Sequence, residues 1–541
     1  MKSRRRKIFL AFLALVLGGV GFAAWSLHYR PKWELAKYQR DLVAAGEKLT
    51  IAELIPVPVR SEENSAHLMM KALPLVNTSS LLSTNSPAGM RFMSFGKAMV
   101  TSQQPDIRDF YEGKLTNTWA EVDLALTNIS DGLELLRQIT EHPTLDFGLQ
   151  YSQGFMVPLG HLMHSKIAAQ RLAAAALSDL HRGDTEAATK NVRAILAMVK
   201  GSSHERLVIS QLVRYAIAAI AVTATWEMLQ SSTVTDAQLA ALQRDWEELD
   251  FITALENSLA MERAMGGDMV GRMRRSSTTL QQASTGLAAL LGTGAAASGG
   301  SSNLMDQAED LAKSSWDKTR WKFKELTWRV AWSYPDHLRM LKGEQALLDC
   351  ARFARTNGYY AEAIHIRDAR LSELGISNID HGDSDEVDMR TVLSQSVLSL
   401  NSTIQRAMSI EVERKLCVTA IALKRYQLRH GNYPDDLAAL VPEILTSVPR
   451  DPVDGKPLRY RRDGEKQFVL YSVGEDEKDD GGDPRPANEK SQMRAIRYGR
   501  DSVWPQPASA EEIEANYARL VRENARKDGK AGGAGGSGGK L

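Results

Sequence analysis

Apolar residues recur every three to four positions over most of the chain, which is the pattern of amphipathic helices. The pattern is clearest from about Trp33 to Leu280. Within it, "HSKIAAQRLAAAALSDLHRGDTEAATKNVRAILAMV" predicts two Ala-rich helices, with Gly183 ending the first and Asp184 capping the second. Because so short a break makes the two helices antiparallel, we predict a helical hairpin like those of helical-repeat solenoids.

Changes in composition divide this helical part of the chain. An uncharged Gly, Ala and Ser run at 284–303 predicts a flexible connection between a helical domain, 31–283, and a second helical region, 304–402. The apolar stretch after His204 resembles a membrane span, but its uncharged core is short, so we predict a buried helix. The end of the chain, 508–541, is predicted to be a helix followed by a disordered Gly-rich tail.

Near the C-terminus the pattern changes from helical to alternating. A long helix is predicted from Thr403 to Gly431, followed by a short helix that begins at Pro434 and a Pro-rich loop. Alternating residues around Asp463–Gly464 then predict two antiparallel strands. The predicted fold class is therefore mainly α, with a C-terminal α+β module at 403–507.

The first residues predict a membrane anchor. A basic segment, 1–7, precedes an apolar one, 8–26, whose uncharged run would be about 27 Å long as a helix, close to the thickness of a bilayer core. The positive-inside rule keeps the basic segment in the cytoplasm and exports the rest. We predict a single-pass protein of the bacterial inner membrane with its body in the periplasm. A cleaved signal peptide is the alternative.

Composition excludes some functions and leaves others open. Lys and Arg (67) nearly balance Asp and Glu (66), so the chain lacks the basic surplus of a nucleic-acid binder. The two cysteines, Cys350 and Cys417, either pair in an oxidising compartment or are buried separately. His161 and His164 share a helix face without a third metal ligand, and Asp and Glu on helices are interpreted as solvated faces. We therefore predict no catalytic or cofactor-binding residues and no enzyme activity.

The C-terminal module resembles the corresponding part of the major pseudopilin of type II secretion, the G-type subunit. The matching segments are "ALKRYQLRHGNYP", "LAALVPEIL", "VPRDPVDGKPLRY", "YSVGEDEKDDGG" and "DSVW", spread over about 100 residues. The resemblance implies a helix-and-sheet head whose C-terminal loop holds calcium, with Asp476 and Asp501 at matching positions. The acidic run adds Asp479, Asp480 and Asp483 as candidate oxygen ligands for calcium, the alternative being a solvated acidic loop.

The rest of the chain departs from that family. The basic run leads straight into the apolar segment without the prepilin processing site, and a long helical region separates the anchor from the module. Processing and assembly as a pilus core subunit are therefore not expected. The layout is similar to that of large envelope proteins of Planctomycetes and Verrucomicrobia.

These observations lead to one functional hypothesis and two alternatives. The hypothesis is a non-enzymatic, membrane-anchored envelope scaffold or adaptor that binds envelope or secretion-system proteins. One alternative is an unusual subunit of a secretion machine or filament. The other is a hydrolase or binding protein for envelope polymers, which a cavity with converging carboxylates in the helical body would favour.

Overall fold

A computed structural model of the chain describes residues 2–108, 115–290, 319–376, 388–464, 467–486 and 495–533. Helices hold 67% of the residues and strands 7%, which confirms the mainly α fold class. Within the described residues the strands form three small sheets. The specific likeness of the C-terminal part to a pseudopilin head stays a prediction.

The elements are numbered along the chain. The helices are α1 Lys2–Ala24, α2 Arg30–Ala44, α3 Ile51–Leu54, α4 Ala66–Val76, α5 Ser80–Asn85, α6 Trp119–Thr127, α7 Ser130–Gln138, α8 Gly160–His181, α9 Thr185–Gly201, α10 Val208–Leu229, α11 Asp236–Glu247, α12 Ile252–Arg275, α13 Ser277–Leu290, α14 319–327, α15 Ser333–Asn357, α16 Ala361–Glu373, α17 Ser396–His430 and α18 Ala510–Gly533. The strands are β1 Arg91–Ser94, β2 Lys97–Met99, β3 Ile107–Arg108, β4 Leu115–Asn117, β5 Arg459–Asp463, β6 Gln467–Val473, β7 Asp501–Val503 and β8 Gln506–Pro507.

The most apolar part of the N-terminal helix is not buried against the rest of the protein. Helix α1 continues through a π-helical turn, Trp25–Tyr29, into α2 without a break. None of its most apolar stretch is buried, and the helix is long and apolar enough to be a membrane anchor. Helix α10 passes the same test of length and composition, but 61% of its apolar stretch is buried. Because α10 packs against α8, α9 and α17, it is the core helix that the sequence predicts.

The predicted helical hairpin is formed by α8 and α9. Gly183 adopts a left-handed backbone conformation with φ of +80°, which costs a residue without a Cβ little. The Asp184 carboxylate accepts the N–H of Ala187 at 2.9 Å and so caps α9. Buried alanines on α8 let α9 and α10 approach closely, so the prediction of an antiparallel hairpin is confirmed.

The predicted C-terminal strands also form. Strands β5 and β6 are antiparallel, as the sequence predicts, and a third strand that it does not predict, β7, adds to the other edge of β6. The Pro-rich loop before β5 folds around the fully buried Asp451. Its carboxylate accepts the N–H groups of Val453 and Val473, each at 2.9 Å, and the hydroxyl of Ser472 at 2.6 Å. One buried carboxylate thus ties the loop to the sheet.

The remaining strands were not predicted. Strands β1 and β2 form a hairpin, and β2 pairs in parallel with β8 from the far end of the chain, with Lys97 opposite Gln506. Met93 and Met99 of the hairpin pack against Ile513 and Tyr517 of α18. A single cluster of buried apolar residues extends from Met69 to Trp504, so the N-terminal body and the C-terminal sheet share a core.

Three local predictions need correction. Helix α13 continues to Leu290, so the first part of the predicted flexible connection is helical, and 291–303 lies outside the described residues. The short helix after Pro434 is a single 3-10 turn, Leu437–Leu440. Helix α18 extends through the start of the predicted disordered tail, of which 534–541 is not described.

The two cysteines do not pair. Both thiols are free and buried. Burial raises the pKa of the Cys350 thiol to about 11 and that of Cys417 further. They therefore follow the alternative in which each is a separately buried, small apolar residue.

Candidate functional site

A cavity of about 440 Å³ lies among α12, α13, α15 and the start of α17. Its wall is largely apolar and includes Met273, Met340 and Leu400, but two carboxyl groups, those of Glu262 and Glu344, also face it. This volume and this mixture of an apolar wall with a few polar groups are typical of small-molecule binding sites. The cavity is therefore the strongest candidate site in the described part of the chain.

A glycine keeps this cavity open. Gly266 lies one turn after Glu262 on α12, and α12 packs along α15. A Cβ added at Gly266 would lie 3.3 Å from Met340 Cε and 3.4 Å from Glu344 Oε1. Since a glycine in the middle of a helix costs roughly 1 kcal/mol relative to alanine, its presence here is best explained by the space that it leaves.

Burial raises the pKa of both carboxyl groups toward or above neutral pH. It raises the pKa of Glu344 to about 8, an effect that nearby Arg263 opposes and Glu262 reinforces. Burial also raises the pKa of Glu262 to about 7, although Oε1 of that residue accepts the N–H of Val208 at 3.2 Å. Glu344 Oε2 has no hydrogen-bond partner among the described residues. The wall of the cavity thus contains a carboxyl group with one buried oxygen whose hydrogen-bonding capacity the described residues do not use.

The sequence did not reveal this site. Charged residues on amphipathic helices usually lie on solvated faces, and that interpretation is wrong for Glu262 and Glu344. The available signal was the Gly266–Gly267 pair inside a helix, next to a run of methionines in "AMERAMGGDMVGRM". Both features favour a gap lined by adaptable apolar side chains.

The acidic loop predicted to bind calcium folds around Asp501. This residue is fully buried at the start of β7. Its carboxylate accepts the N–H groups of Gly482 at 2.7 Å, Asp483 at 3.0 Å and Asp480 at 3.4 Å. Asp501 therefore organises the loop by accepting hydrogen bonds from its backbone.

Three of the other candidate ligands, Asp476, Asp479 and Asp483, meet partners within the protein. Asp483 pairs with Arg485 at 2.8 Å and with Arg500 at 3.5 Å, whereas Asp479 accepts the Tyr471 hydroxyl at 2.9 Å. Asp476 accepts the N–H of Lys478 at 3.2 Å. Among the described residues, no group of three or more His, Cys, Asp or Glu side chains is arranged to hold a metal ion. Calcium binding at this loop stays a prediction.

The histidine pair of α8 divides into two environments. His161 is buried, stacks on Phe147 and forms a 2.6 Å contact through Nε2 with Glu205 Oε1. His164 is exposed and contacts the carbonyl oxygen of Gly160 at 2.7 Å. The two imidazoles thus contact different partners.

Comparisons with protein-family models, with curated proteins and with solved structures find no match to this chain.

Proposed function

We propose that this chain is a non-enzymatic scaffold or adaptor of the bacterial envelope, anchored in the inner membrane by α1 with its body in the periplasm. Its proposed partners are envelope or secretion-system proteins, contacted by the helical body and by the pseudopilin-like C-terminal module. The observation that carries this proposal is the continuous N-terminal helix. Its first part, α1, is apolar and not buried, whereas its second part, α2, packs against α15 of the body.

The docking of α2 supports a scaffold because it fixes the body relative to the membrane. Three residues after the end of α2, Glu47 accepts a hydrogen bond from Arg263 of α12 at 2.8 Å and another from Gln345 of α15 at 3.0 Å. Arg352 of α15 also pairs with Glu47. A flexible tether would leave the orientation of the body free, whereas this connection holds its surfaces at a defined height and angle.

The test is extraction and crosslinking of the full chain in native membranes. The protein is expected to stay with the membrane pellet in alkaline carbonate, and crosslinked envelope or secretion-system proteins are expected to be enriched by affinity purification and identified by mass spectrometry. A double variant, Leu13→Arg with Leu17→Arg, places two cations in the exposed apolar helix and is expected to leave the pellet. Release of the wild-type chain by carbonate would contradict the anchor, and enrichment of no such protein would contradict the adaptor role.

A second candidate function is binding of an amphiphilic envelope molecule in the cavity of Glu262 and Glu344. The cavity brings two carboxyl groups together within an apolar wall, which favours the binding alternative in the helical body. The π-helical turn Trp328–Trp332 lies beside His28, where the N-terminal helix is proposed to leave the membrane. Met340 of the cavity follows this turn by eight residues, which is about 12 Å along the helix. An acyl chain from the bilayer would fit the wall, and its polar head would hydrogen-bond Glu344.

A pair of glycine variants tests this candidate. Gly266→Leu is expected to fill the cavity and to weaken binding of a fluorescent fatty acid, measured with the full chain in detergent-free nanodiscs, by about tenfold or more. Gly267→Leu is the matched control, since a Cβ there meets no atom within 4 Å. Equal binding by both variants and the wild type would place the probe elsewhere and contradict this candidate.

A further inference from the structure

The anchor helix has a parallel neighbour in the fold. Residues 319–357 form one continuous helix, in which the π-helical turn Trp328–Trp332 joins α14 to α15. This turn packs against the corresponding turn of the N-terminal helix, Trp25–Tyr29. The His28 Nδ1 atom lies 2.8 Å from the carbonyl oxygen of Val330, and the His28 ring contacts that of Tyr334.

The two helices run in the same direction and stay in step. Beyond the paired turns, Lys342 Nζ lies 5.7 Å from the centre of the Tyr38 ring, and Arg352 pairs with Glu47, which follows the end of α2. The residue numbers of facing partners increase by similar amounts on the two chain segments. Each position along one helix therefore has a matching position at the same height on the other. Since Phe323 precedes Val330 by about two turns, it lies at the level of the anchor residue that precedes His28 by the same distance, Gly21.

This register places α14 at the depth of the bilayer surface. Gly21 belongs to the apolar part of α1, and Trp25 and Tyr29 follow it at the predicted outer interface. A segment that continues from the paired turns to this level cannot lie far out in the periplasm when α1 spans the membrane. A helix α14 that continues at this level therefore meets the boundary between the headgroup layer and the acyl chains.

The surface of α14 has the chemistry of that layer. Phe323 and Leu326 of α14 are 70% and 61% exposed, and Val330 of the π-helical turn that follows is 44% exposed. Their spacing of three and four residues puts them on one face of the continuous helix. On the other side of the helix, Trp328 is fully buried. Three cationic residues, Arg320, Lys322 and Lys324, lie in the same helix.

An apolar face with Phe and Leu, accompanied by Lys and Arg, is typical of helices that lie in the interface of anionic membranes. Exposed apolar side chains of this size would be costly in water, and an acyl-chain boundary beside them would remove that cost. A protein partner would have to reach the same side chains within the headgroup layer. The bilayer that holds α1 is the occupant that the position and the charge both favour.

Building on the proposed anchoring by α1, we propose that the α14 patch, defined as Phe323, Leu326 and Val330, inserts into the outer headgroup layer of that bilayer. The protein then meets the membrane at two places, the spanning helix and the α14 patch. Two contacts prevent rotation of the body about the anchor, which a single helix would allow.

The experiment uses the full chain in vesicles and three single-cysteine labels. The variants Leu15→Cys in the anchor, Phe323→Cys in the α14 patch and Leu428→Cys as a control each receive a polarity-sensitive fluorophore. The native thiols are buried and do not compete for the label. Leu428 is a suitable control because α17 starts beside Asp336, at the membrane end of α15, and Leu428 lies about 48 Å further along that helix.

Vesicles with brominated phospholipids are expected to quench the labels at Leu15 and Phe323 by about twofold and to leave the label at Leu428 unchanged. Quenching at Leu15 with none at Phe323 would overturn the proposed patch and leave the anchor in place. Absence of quenching at both positions would overturn the anchoring of α1 together with the patch.

Discussion

Replacing Glu47 with alanine is expected to lower the free energy of unfolding by about 3–5 kcal/mol, because it leaves a buried cation without its counter-charge. The side chain of Arg263 is fully buried and pairs with Glu47 at 2.8 Å. Without Glu47, that guanidinium keeps the Lys48 carbonyl oxygen, at 3.1 Å, and the amide oxygen of Gln345 as hydrogen-bond acceptors. Neither acceptor is charged. Urea unfolding of the full chain in nanodiscs measures the loss.

An exposed ion pair supplies the control. Glu186 pairs with Lys190 at 2.9 Å on the surface of α9, where water solvates both charges. Surface pairs of this kind contribute little to stability. Glu186→Ala is therefore expected to leave the unfolding midpoint unchanged, and an equal loss in both variants would contradict a specific role for Glu47.

The pH dependence provides a further check. Burial opposes ionisation of Glu47, but hydrogen bonds from Arg352, Arg263 and Gln345 outweigh it and lower the pKa to about 2, from an ordinary value of 4.5. A lowered folded-state pKa means that the stabilisation is fully present above pH 4.5 and is lost as the pH falls toward 2. The difference in free energy of unfolding between the wild type and Glu47→Ala should therefore become smaller as the pH falls from 4.5 toward 2. A difference that stayed constant down to pH 2 would show that the ion pair is not its cause.

The features that the sequence predicted correctly are set by neighbouring residues. Gly183 and Asp184 end one helix and begin the next through contacts within a few residues, so the α8 and α9 hairpin was readable. The same holds for the end of α17 at Gly431, which has a left-handed backbone conformation. The turn at Asp463–Gly464 between β5 and β6 belongs to this group as well.

The features that the sequence did not predict depend on distant partners. Strand β2 has three residues, too few for an alternating pattern, and β8 pairs with it from the other end of the chain. Glu227 is similar, because it lies inside the apolar helix α10 and accepts the N–H groups of Met90 and Thr101 at 3.0 and 2.9 Å. Its burial is decided by a segment more than a hundred residues away, so no local pattern reveals it.

The candidate site could not be predicted from the sequence either, because it also depends on residues that are distant in the chain. Glu344 has the spacing and the neighbours of an ordinary surface residue on an amphipathic helix, and its burial results from the packing of α12 and α17 on α15. Only the tertiary structure shows that its carboxyl group faces a cavity. The pKa of Glu344 is thus a property of the fold, and it supplies a measurable signature of the site.

Replacing Glu344 with glutamine is expected to remove a loss of stability that the wild-type protein shows between about pH 4.5 and 8. Burial raises the folded-state pKa of this group from 4.5 to about 8. A raised pKa means that its contribution to stability is fully present below pH 4.5 and is lost as the pH rises through 8. Ionised Glu344 then costs roughly 5 kcal/mol at pH 9. Glutamine keeps the shape of the side chain and does not ionise.

The variant should therefore match the wild type at pH 4 and exceed it in stability at pH 9, as measured by urea unfolding in nanodiscs. Glu262 and Arg263 are the other ionisable groups beside this carboxyl, and both remain in the variant, so the difference between the two curves reports Glu344 together with its interaction with these two groups. Glu373→Gln makes the same exchange at an exposed position on α16 and should leave the curve unchanged. If the difference in free energy of unfolding between the wild type and Glu344→Gln is the same at pH 4.5 and at pH 8, the carboxyl group is solvated and the cavity does not enclose it.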